Sequence, residues 1–357
     1  MAGLFVPDIK KVGGAEVQLY LLASELAKDR RFEINIITSS TVKNISRKNN
    51  LILLPLLPEL KYGRFLKTIW FCFRDMFNLH RAIKKINPDL LFLSVNNFET
   101  ICSLFFAKML NKKTIYRVAH DTESRGVSLR SSKVVAFPFR MALKMTKPYI
   151  ICQHTKQKED LRKYLNLNST VFYSVYKINK ETISPQQKKS ILWVGRYVKF
   201  KQPNLFLELA ESLPTRTFIM ICNGKLPLNF MEKAKKIKNL RLFNYIPFSE
   251  IDAFFKGAKI FINTSTEEGF PNTFIQAAKN GTPILSLRVN PENFFQKYKH
   301  GFVTKSISNM RKYICQLFED DALYLEMSQN AIKYANEIHD IEKNILKIKK
   351  IIYKLTV

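Results

Sequence analysis

Acidic residues are scarce in this sequence. Across 357 residues, 58 Lys and Arg stand against 29 Asp and Glu, a formal net charge of +29. A chain so short of acid calls for an acidic partner: nucleic acid, an anionic membrane face or a phosphorylated substrate. A composition bias toward Lys, Asn and Ile is the competing source of the surplus. Cysteine is sparse too. Cys72, Cys102, Cys152, Cys222 and Cys315 are scattered without a CxxC, which argues for buried thiols in a reducing compartment over a disulfide framework or a zinc site. No HExxH and no DxD occurs, so no metal site is expected. No apolar run reaches the roughly 18 to 20 residues of a membrane span, and the longest, Leu51 to Leu57, is strand-length. MAGLFVPDIKK lacks a basic segment ahead of a long apolar core, so no secretory leader is expected.

What is present is alternation. The apolar share of 46% is ordinary for a globular chain, and the length suits about two domains. Gly3–Val6, Glu33–Ile37, Asn50–Leu54, Leu90–Leu93, Thr114–Arg117, Tyr149–Cys152 and Thr170–Tyr173 read as strands, with helical patterns near 14–29, 62–86, 98–110, 133–146 and 156–164. The polar stretch SVYKINKETISPQQKKS, 174–190, carries Pro185 and no apolar period, and reads as a linker. Strands then fit Ile191–Val194, Thr217–Cys222, Leu240–Phe243, Ile260–Asn263 and Pro283–Ser286, with helices at 203–212, 228–237, 249–256, 272–280 and 308–336. This pattern predicts an α/β protein of two doubly wound domains, with ligands beyond the carboxyl ends of the strands and the cleft between the domains as the default site.

Four stretches carry chemistry. In KKVGGAEVQLY, Gly13 and Gly14 open a helix after the first strand, where backbone N–H groups can approach an anion; the alternative is a tight turn and nothing more. In ILWVGRYVKFKQP, Gly195 ends a strand, and Arg196 and Lys201 supply two cations suited to a diphosphate; the alternative is a solvated basic loop. In STEEGFPNTFIQAAKNGTPILS, Glu268 can accept hydrogen bonds from sugar hydroxyls, the helix start at Asn272 and Thr273 favours phosphate, and Gln276 lies two turns from Glu268; the alternative is an acidic helix start that complements the dipole. In YRVAHDTES, His120 and Asp121 follow a strand and form a possible substrate-facing pair, or a structural one.

In order and spacing, GGAE, VGRYVKFKQP and EEGFPNTFIQAAKNGTPILS resemble the retaining glycosyltransferases of family 4 over nearly the whole chain. The resemblance implies a GT-B fold of two Rossmann-like domains facing a cleft: 1–175 on the acceptor side, a linker at 176–190, 191–335 binding the donor nucleotide, and a C-terminal helix at 336–357 that packs back toward the first domain. It places Glu268 on the donor sugar, and Arg196 and Lys201 on the diphosphate. Gly13, Gly14, Gly195, Gly269, Phe270, Asn272 and Thr273 fall on the donor-binding backbone, and His120 near donor sugar and acceptor. The second glutamate of the family's E-x7-E pattern, which meets the ribose, is replaced by neutral Gln276. A glutamine still hydrogen-bonds a hydroxyl but accepts less strongly than a carboxylate. The implied reaction moves a sugar from a nucleotide sugar to an acceptor with retention, without metal or cofactor.

The run from Tyr62 to Asp89 puts Lys67, Arg74 and Arg81 on one helix face and Leu66, Ile69, Trp70, Phe73 and Phe77 on another. That composition suits an anionic lipid surface, or an ordinary crossover helix. The C-terminal IEKNILKIKKIIYKL likewise carries an Ile stripe (341, 345, 348, 352) and a Lys stripe (343, 347, 350, 354). Residues 1–180 hold 31 Lys and Arg against 13 acids. The expectation is a cytoplasmic enzyme, peripheral at the inner face of the cell membrane, acting on a lipid-linked or surface-polysaccharide acceptor. Rival readings are a GT-B epimerase or phosphorylase, a non-catalytic sugar-nucleotide binder, and a nucleic-acid-binding protein. For the last, no helix-turn-helix, zinc spacing or RNP-like strand is found, so no nucleic-acid partner is expected.

Overall fold

A computed structural model describes residues 13–39, 46–48, 50–57, 65–126, 133–178 and 187–357. Chain contacts divide it into two units, Met1–Ser174 with Ile341–Val357, and Val175–Asp340.

The first unit runs α1 (Gly14–Leu26), β1 (Ile34–Ser39), β2 (Ser46–Lys48), β3 (Leu51–Leu57), α2 (Phe65–Ile86), β4 (Leu90–Ser94), α3 (Phe98–Met109), β5 (Lys113–Arg117), one-turn α4 (Asp121–Ser124), α5 (Lys133–Thr146), β6 (Tyr149–Cys152), α6 (Thr155–Asp160) and β7 (Thr170–Val171). β4, β5, β6 and β7 pair in that order, all parallel, and β1 pairs parallel with β3. From β4 to β7 helical crossovers dictate this, because each returns the chain to the end of the sheet at which the preceding strand began. β5 is apolar enough to be covered on both faces: Ile115 and Tyr116 are fully buried, and Tyr116 packs with Phe139, Leu143, Ile150 and Leu161. Leu79 and Ile83 of α2 pack with Cys102 and Leu91. The antiparallel β2 was not foreseen, and the expected strand Gly3–Val6 lies outside the described residues.

The second unit runs β8 (Ser190–Arg196), α7 (Pro203–Ser212), β9 (Thr217–Asn223), α8 (Leu228–Lys236), β10 (Leu240–Phe243), α9 (Ile251–Gly257), β11 (Ala258–Asn263), α10 (Asn272–Ala278), β12 (Ile284–Ser286), α11 (Phe294–Tyr298), β13 (Gly301–Val303), α12 (Ile307–Glu319) and α13 (Asp321–Tyr334). Its six strands are parallel in the order β10-β9-β8-β11-β12-β13. Both faces are covered, so the central strands read as continuous apolar runs. Ile191 and Trp193 pack with Phe206, Phe218 and Met220 on one side, and Leu192 with Phe255, Phe261 and Phe274 on the other.

Two expectations change here. The helix foreseen at 308–336 is two helices, because extended Asp320 interrupts it and its carboxylate accepts the Leu323 N–H at 2.9 Å, capping α13. The polar linker also has buried ends. Val175 and Tyr176 are buried, with the Tyr176 N–H donating to the His339 carbonyl at 2.8 Å. The Lys188 ammonium donates to the carbonyls of Asn280 and Gly281 just past α10, where a cation complements the helix end, and burial brings it down to about 8. Residues 179–186 of that stretch lie outside the described residues.

The last helix, α14 (Ile341–Thr356), belongs to the first unit and packs against α1 and β4. Ile341, Ile345 and Ile348 form its buried stripe. Asp29 anchors it. Its carboxylate receives Arg31 at 2.7 Å and Lys349 at 2.7 Å, and those hydrogen bonds hold it well below the usual carboxylate range. The Arg31 guanidinium lies 5.6 Å from the Tyr353 ring centre.

His300 gives the second unit an acid-sensitive point. It is 1% exposed and stacks on Tyr334 at 4.3 Å, and burial together with nearby His339 pushes its imidazole from 6.5 down to about 3. The unfolded chain therefore binds a proton between about 6.5 and about 3 that the folded chain does not, so stability rises with pH across that window and is lost as pH falls through it. One such group contributes about 1.4 kcal/mol per pH unit. Urea titrations at steps from pH 6.5 to pH 4 are expected to show this slope, and His300→Phe is expected to reduce it by that amount; an unchanged slope in the variant contradicts the assignment.

Candidate functional site

In the second unit the strand order reverses between β8 and β11. The loops that leave these two strands head toward opposite faces of the sheet and open a crevice at their carboxyl ends. The loops are stitched together at their bases. The Thr266 N–H donates to the Phe200 carbonyl at 2.8 Å, and the Thr264 hydroxyl donates to the Lys201 carbonyl at 2.6 Å. The same hydroxyl accepts the Trp193 indole N–H at 2.9 Å. Gly195 is a glycine because of that indole: a Cβ there would stand 2.8 Å from the Trp193 ring. Gln202 takes a left-handed turn (φ 46°), and Pro203 then starts α7 at a position where no N–H is needed.

Lys201 and Glu268 meet across this reversal, Nζ to Oε1 at 2.6 Å, with side chains only 14% and 11% exposed. The same Oε1 accepts Asn263 Nδ2 at 2.8 Å and the Ser265 hydroxyl at 2.7 Å. Burial works to raise the Glu268 carboxyl; the charge and hydrogen bond of Lys201, with those of Ser265 and Asn263, outweigh it and hold the group below its ordinary value. Glu268 is therefore an anion with one oxygen saturated, while Oε2 takes no hydrogen bond among the described residues. The Arg196 guanidinium, at the exposed end of β8, makes no ion pair or hydrogen bond among the described residues. Of the two predicted cations, Lys201 has its counter-charge and Arg196 does not.

The remaining predicted residues of this unit sit on the β11–α10 loop and in α10. Gly269 is half-buried. Phe270 is buried by its ring, 5.2 Å from His339 and 6.4 Å from Phe294, which leaves its backbone to line the loop. Asn272 and Thr273 form the half-buried first turn of α10. Gln276 lies one turn further on and is buried; its carbonyl accepts Asn280 Nδ2 at 2.9 Å, and its side-chain amide bonds to no described residue.

In the first unit, Gly13 and Gly14 begin α1, and the Gly13 N–H is taken by the carboxylate of Glu16, which folds back as a cap. His120 is half-buried just ahead of α4. His120 and Asp121 do not bond to each other among the described residues. Asp121 instead accepts His154 Nε2 at 2.9 Å and Gln157 Nε2 at 2.9 Å, because His120 lies at the N-cap while Asp121 already points along the helix toward α6. Burial opposes ionisation of Asp121, and the His154 contacts prevail and lower it.

Sequence reading missed His154 and a polar hub on Glu123. That carboxylate takes the Tyr116 hydroxyl at 2.8 Å, the Ala119 N–H at 2.8 Å and the Asn96 N–H at 3.2 Å. Ahead of Asn96, Val95 sits at φ 72°, a conformation a β-branched residue adopts only under strain. Both amide atoms of Asn96, the Thr122 hydroxyl and Arg117 Nε are buried without a partner among the described residues. No local pattern announces such atoms, since only the folded sheet brings them together.

Two family profiles match in succession: Glycosyltransferase Family 4 over residues 12–174, and Glycosyl transferases group 1 over residues 175–336. The chain is a glycosyltransferase of the GT-B type. The glycosyltransferase is 22% identical over 358 residues to an uncharacterized glycosyltransferase of Haemophilus influenzae, covering 96% of this chain and 97% of the relative. Among solved structures it is similar to sucrose-phosphate synthase from Thermosynechococcus elongatus (TM-score 0.77, 12% identity, 96% and 94% of the two chains). Anabaena HepE in complex with UDP gives a TM-score of 0.71 at 14% identity over 97% and 98%. WaaG, a glycosyltransferase involved in lipopolysaccharide biosynthesis, gives 0.70 at 14% identity over 96% and 96%. These structural likenesses establish the shared fold of two Rossmann-like domains.

The buried pair generates a stability prediction. Lys201→Met in the glycosyltransferase leaves Glu268 without its cation and is expected to cost about 3 kcal/mol in urea denaturation. Adding Glu268→Leu to the same chain is expected to recover most of that loss. A single variant as stable as the parent contradicts the burial of the pair.

Proposed function

We propose that this glycosyltransferase takes a sugar from a nucleotide-sugar donor and transfers it, with retention of anomeric configuration, to a lipid-linked or surface-polysaccharide acceptor. The observation that carries the reading is the Lys201–Glu268 pair at the strand-order reversal, beside an Arg196 with no counter-charge. The bond from sugar C1 to the diphosphate oxygen breaks, and its electron pair leaves with the diphosphate. The acceptor oxygen bonds C1 on the same face, and its proton passes to the departing phosphate oxygen. Arg196 and Lys201 neutralise the charge that grows on the leaving group, Lys201 from a position that its pair with Glu268 holds. In this scheme fixed cations take the charge-neutralising role, and no metal or cofactor is assigned a step.

Glu268 Oε2 is assigned to a donor-sugar hydroxyl, and Gln276 to the ribose. The backbone of Gly195, Gly269, Phe270, Asn272 and Thr273 is assigned to phosphate and sugar. In the first unit Gly13 and Gly14 are assigned to the diphosphate, which requires Glu16 to release the Gly13 N–H. His120 and the unpartnered amide of Asn96 are assigned to acceptor hydroxyls. The UDP bound by HepE and the lipopolysaccharide role of WaaG support the donor and acceptor classes. The excess of Lys and Arg in residues 1–180 supports a site of action at the inner face of a membrane, on the cytoplasmic side.

A panel of uridine, guanosine and adenosine diphosphate sugars, followed by release of the free nucleoside diphosphate, tests the reading. One donor is expected to be turned over, faster with a glycan acceptor. Arg196→Ala is expected to lower kcat on the order of 10²- to 10³-fold with an unchanged melting temperature, because the side chain is exposed and unpaired. Full turnover in that variant removes Arg196 from the mechanism, and binding without release from any donor favours a non-catalytic sugar-nucleotide binder.

A further inference from the structure

We propose that the outward face of α5, carrying Phe137, Met141 and Met145, is a docking surface for an anionic lipid bilayer. The three residues recur at four-residue spacing, so they form one stripe. They are 69%, 42% and 48% exposed, while Phe139, Ala142 and Leu143 between them are fully buried in the core of the first unit. Large apolar residues exposed singly are ordinary; three along one helix, left exposed by the described residues, form a patch that calls for an occupant. The stripe extends beyond α5. Lys108 Nζ donates to the Met145 carbonyl at 2.7 Å and ties the end of α3 to this end of α5, and the neighbouring Met109 is 73% exposed.

Charge selects the occupant. Between residues 133 and 147 there are four cations, Lys133, Arg140, Lys144 and Lys147, and no Asp or Glu. Lys144 and Lys147 are exposed, and exposed Arg140 is held in place by the Gly126 carbonyl at 3.0 Å. An acid-free basic rim around Phe and Met matches the boundary between headgroups and acyl chains, where the apolar stripe enters and the cations meet lipid phosphate. No described helix is long and apolar enough to cross a membrane, so the contact proposed is with its surface. The basic helix singled out in the sequence, α2, is a weaker candidate over its described half. There Leu79 and Ile83 turn into the core, and the exposed Phe77 is covered by the Arg81 guanidinium at 5.5 Å. The inference deepens the proposed lipid-linked acceptor and rests on that reading for its purpose, though not for its geometry.

The test is flotation of the full chain at low salt with vesicles of phosphatidylcholine alone and of phosphatidylcholine with phosphatidylglycerol. The parent is expected to float with the anionic vesicles only. Phe137→Ser with Met141→Ser and Met145→Ser is expected to lower binding about tenfold or more, and Lys144→Glu about fivefold or more. Arg81→Glu with Lys84→Glu on α2 is expected to bind as the parent does. Should the triple variant fail to fold, Phe137→Ser alone and Lys144→Glu decide. Four results overturn the proposal: no binding of the parent to either vesicle, parent-like binding by the triple variant, loss that follows the α2 variant instead, or a parent that sediments as a dimer while the triple variant is monomeric. Nucleoside diphosphate release in solution, measured in parallel, separates the two readings. Release without flotation sinks only the docking surface, and flotation without release sinks only the transferase scheme.

Discussion

The Lys201–Glu268 ion pair exists because β8 and β11, though far apart in sequence, are neighbouring parallel strands at the point where the sheet of the second unit reverses its strand order. β8 and β11 are parallel neighbours, so the loops after them leave the same end of the sheet, and the reversal sends them to opposite faces with a crevice between. There, two oppositely charged side chains more than sixty residues apart are brought into contact and largely shielded from water. Such a pair adds little net stability, because desolvation offsets most of the attraction. What it does is hold geometry. Glu268 stays ionised with one oxygen locked by three donors, and the other oxygen is aimed by that lock. A carboxylate held this way keeps a single orientation.

The first unit solves a different problem with the same means. Its sheet buries Arg117, whose guanidinium donates to the Ser174 hydroxyl at 2.8 Å and is drawn down by burial to about 10. Glu123 supplies the nearby negative charge and spends its two oxygens on Tyr116, Ala119 and Asn96. The result is a rigid polar floor beyond β4 and β5. Val95 is strained above it, and several polar atoms there lack partners among the described residues. Strain and unmet hydrogen-bonding capacity are features that cores eliminate and binding surfaces retain.

Three buried lysines of the second unit are held as carefully as its carboxylates. Lys259 pairs with Asp321 at 3.3 Å and lies 4.7 Å from the Tyr324 ring centre, and Lys279 pairs with Asp252 at 2.8 Å. Lys188 rests on carbonyls. These lysines hold the structure together and contribute little to the outward field. The excess that faces solvent lies elsewhere, and in the first unit it adjoins the exposed stripe of α5. Net charge therefore describes the whole chain, while the footprint of a partner depends on which cations are left without neighbours.

Much of the fold was legible in the chain because secondary structure leaves a local record. Apolar runs such as ILWV and FIMIC alternate with amphipathic segments, and that alone predicts parallel sheets with crossover helices. The clustering of Glu268, Gly269, Asn272 and Gln276 was legible for the same reason, since they lie within a few residues of one another. The break at Asp320 and strand β2 were not, because a cap and a short antiparallel edge leave little periodicity. His154 was not either, because its partner Asp121 is thirty-three residues away. By itself the sequence determined the elements, their order and the loops that carry charge, all of which depend on residues close in the chain. Which carboxylate meets which cation, which lysines are buried and which apolar side chains stay exposed were decided only by tertiary structure, because those contacts join residues that sequence distance separates.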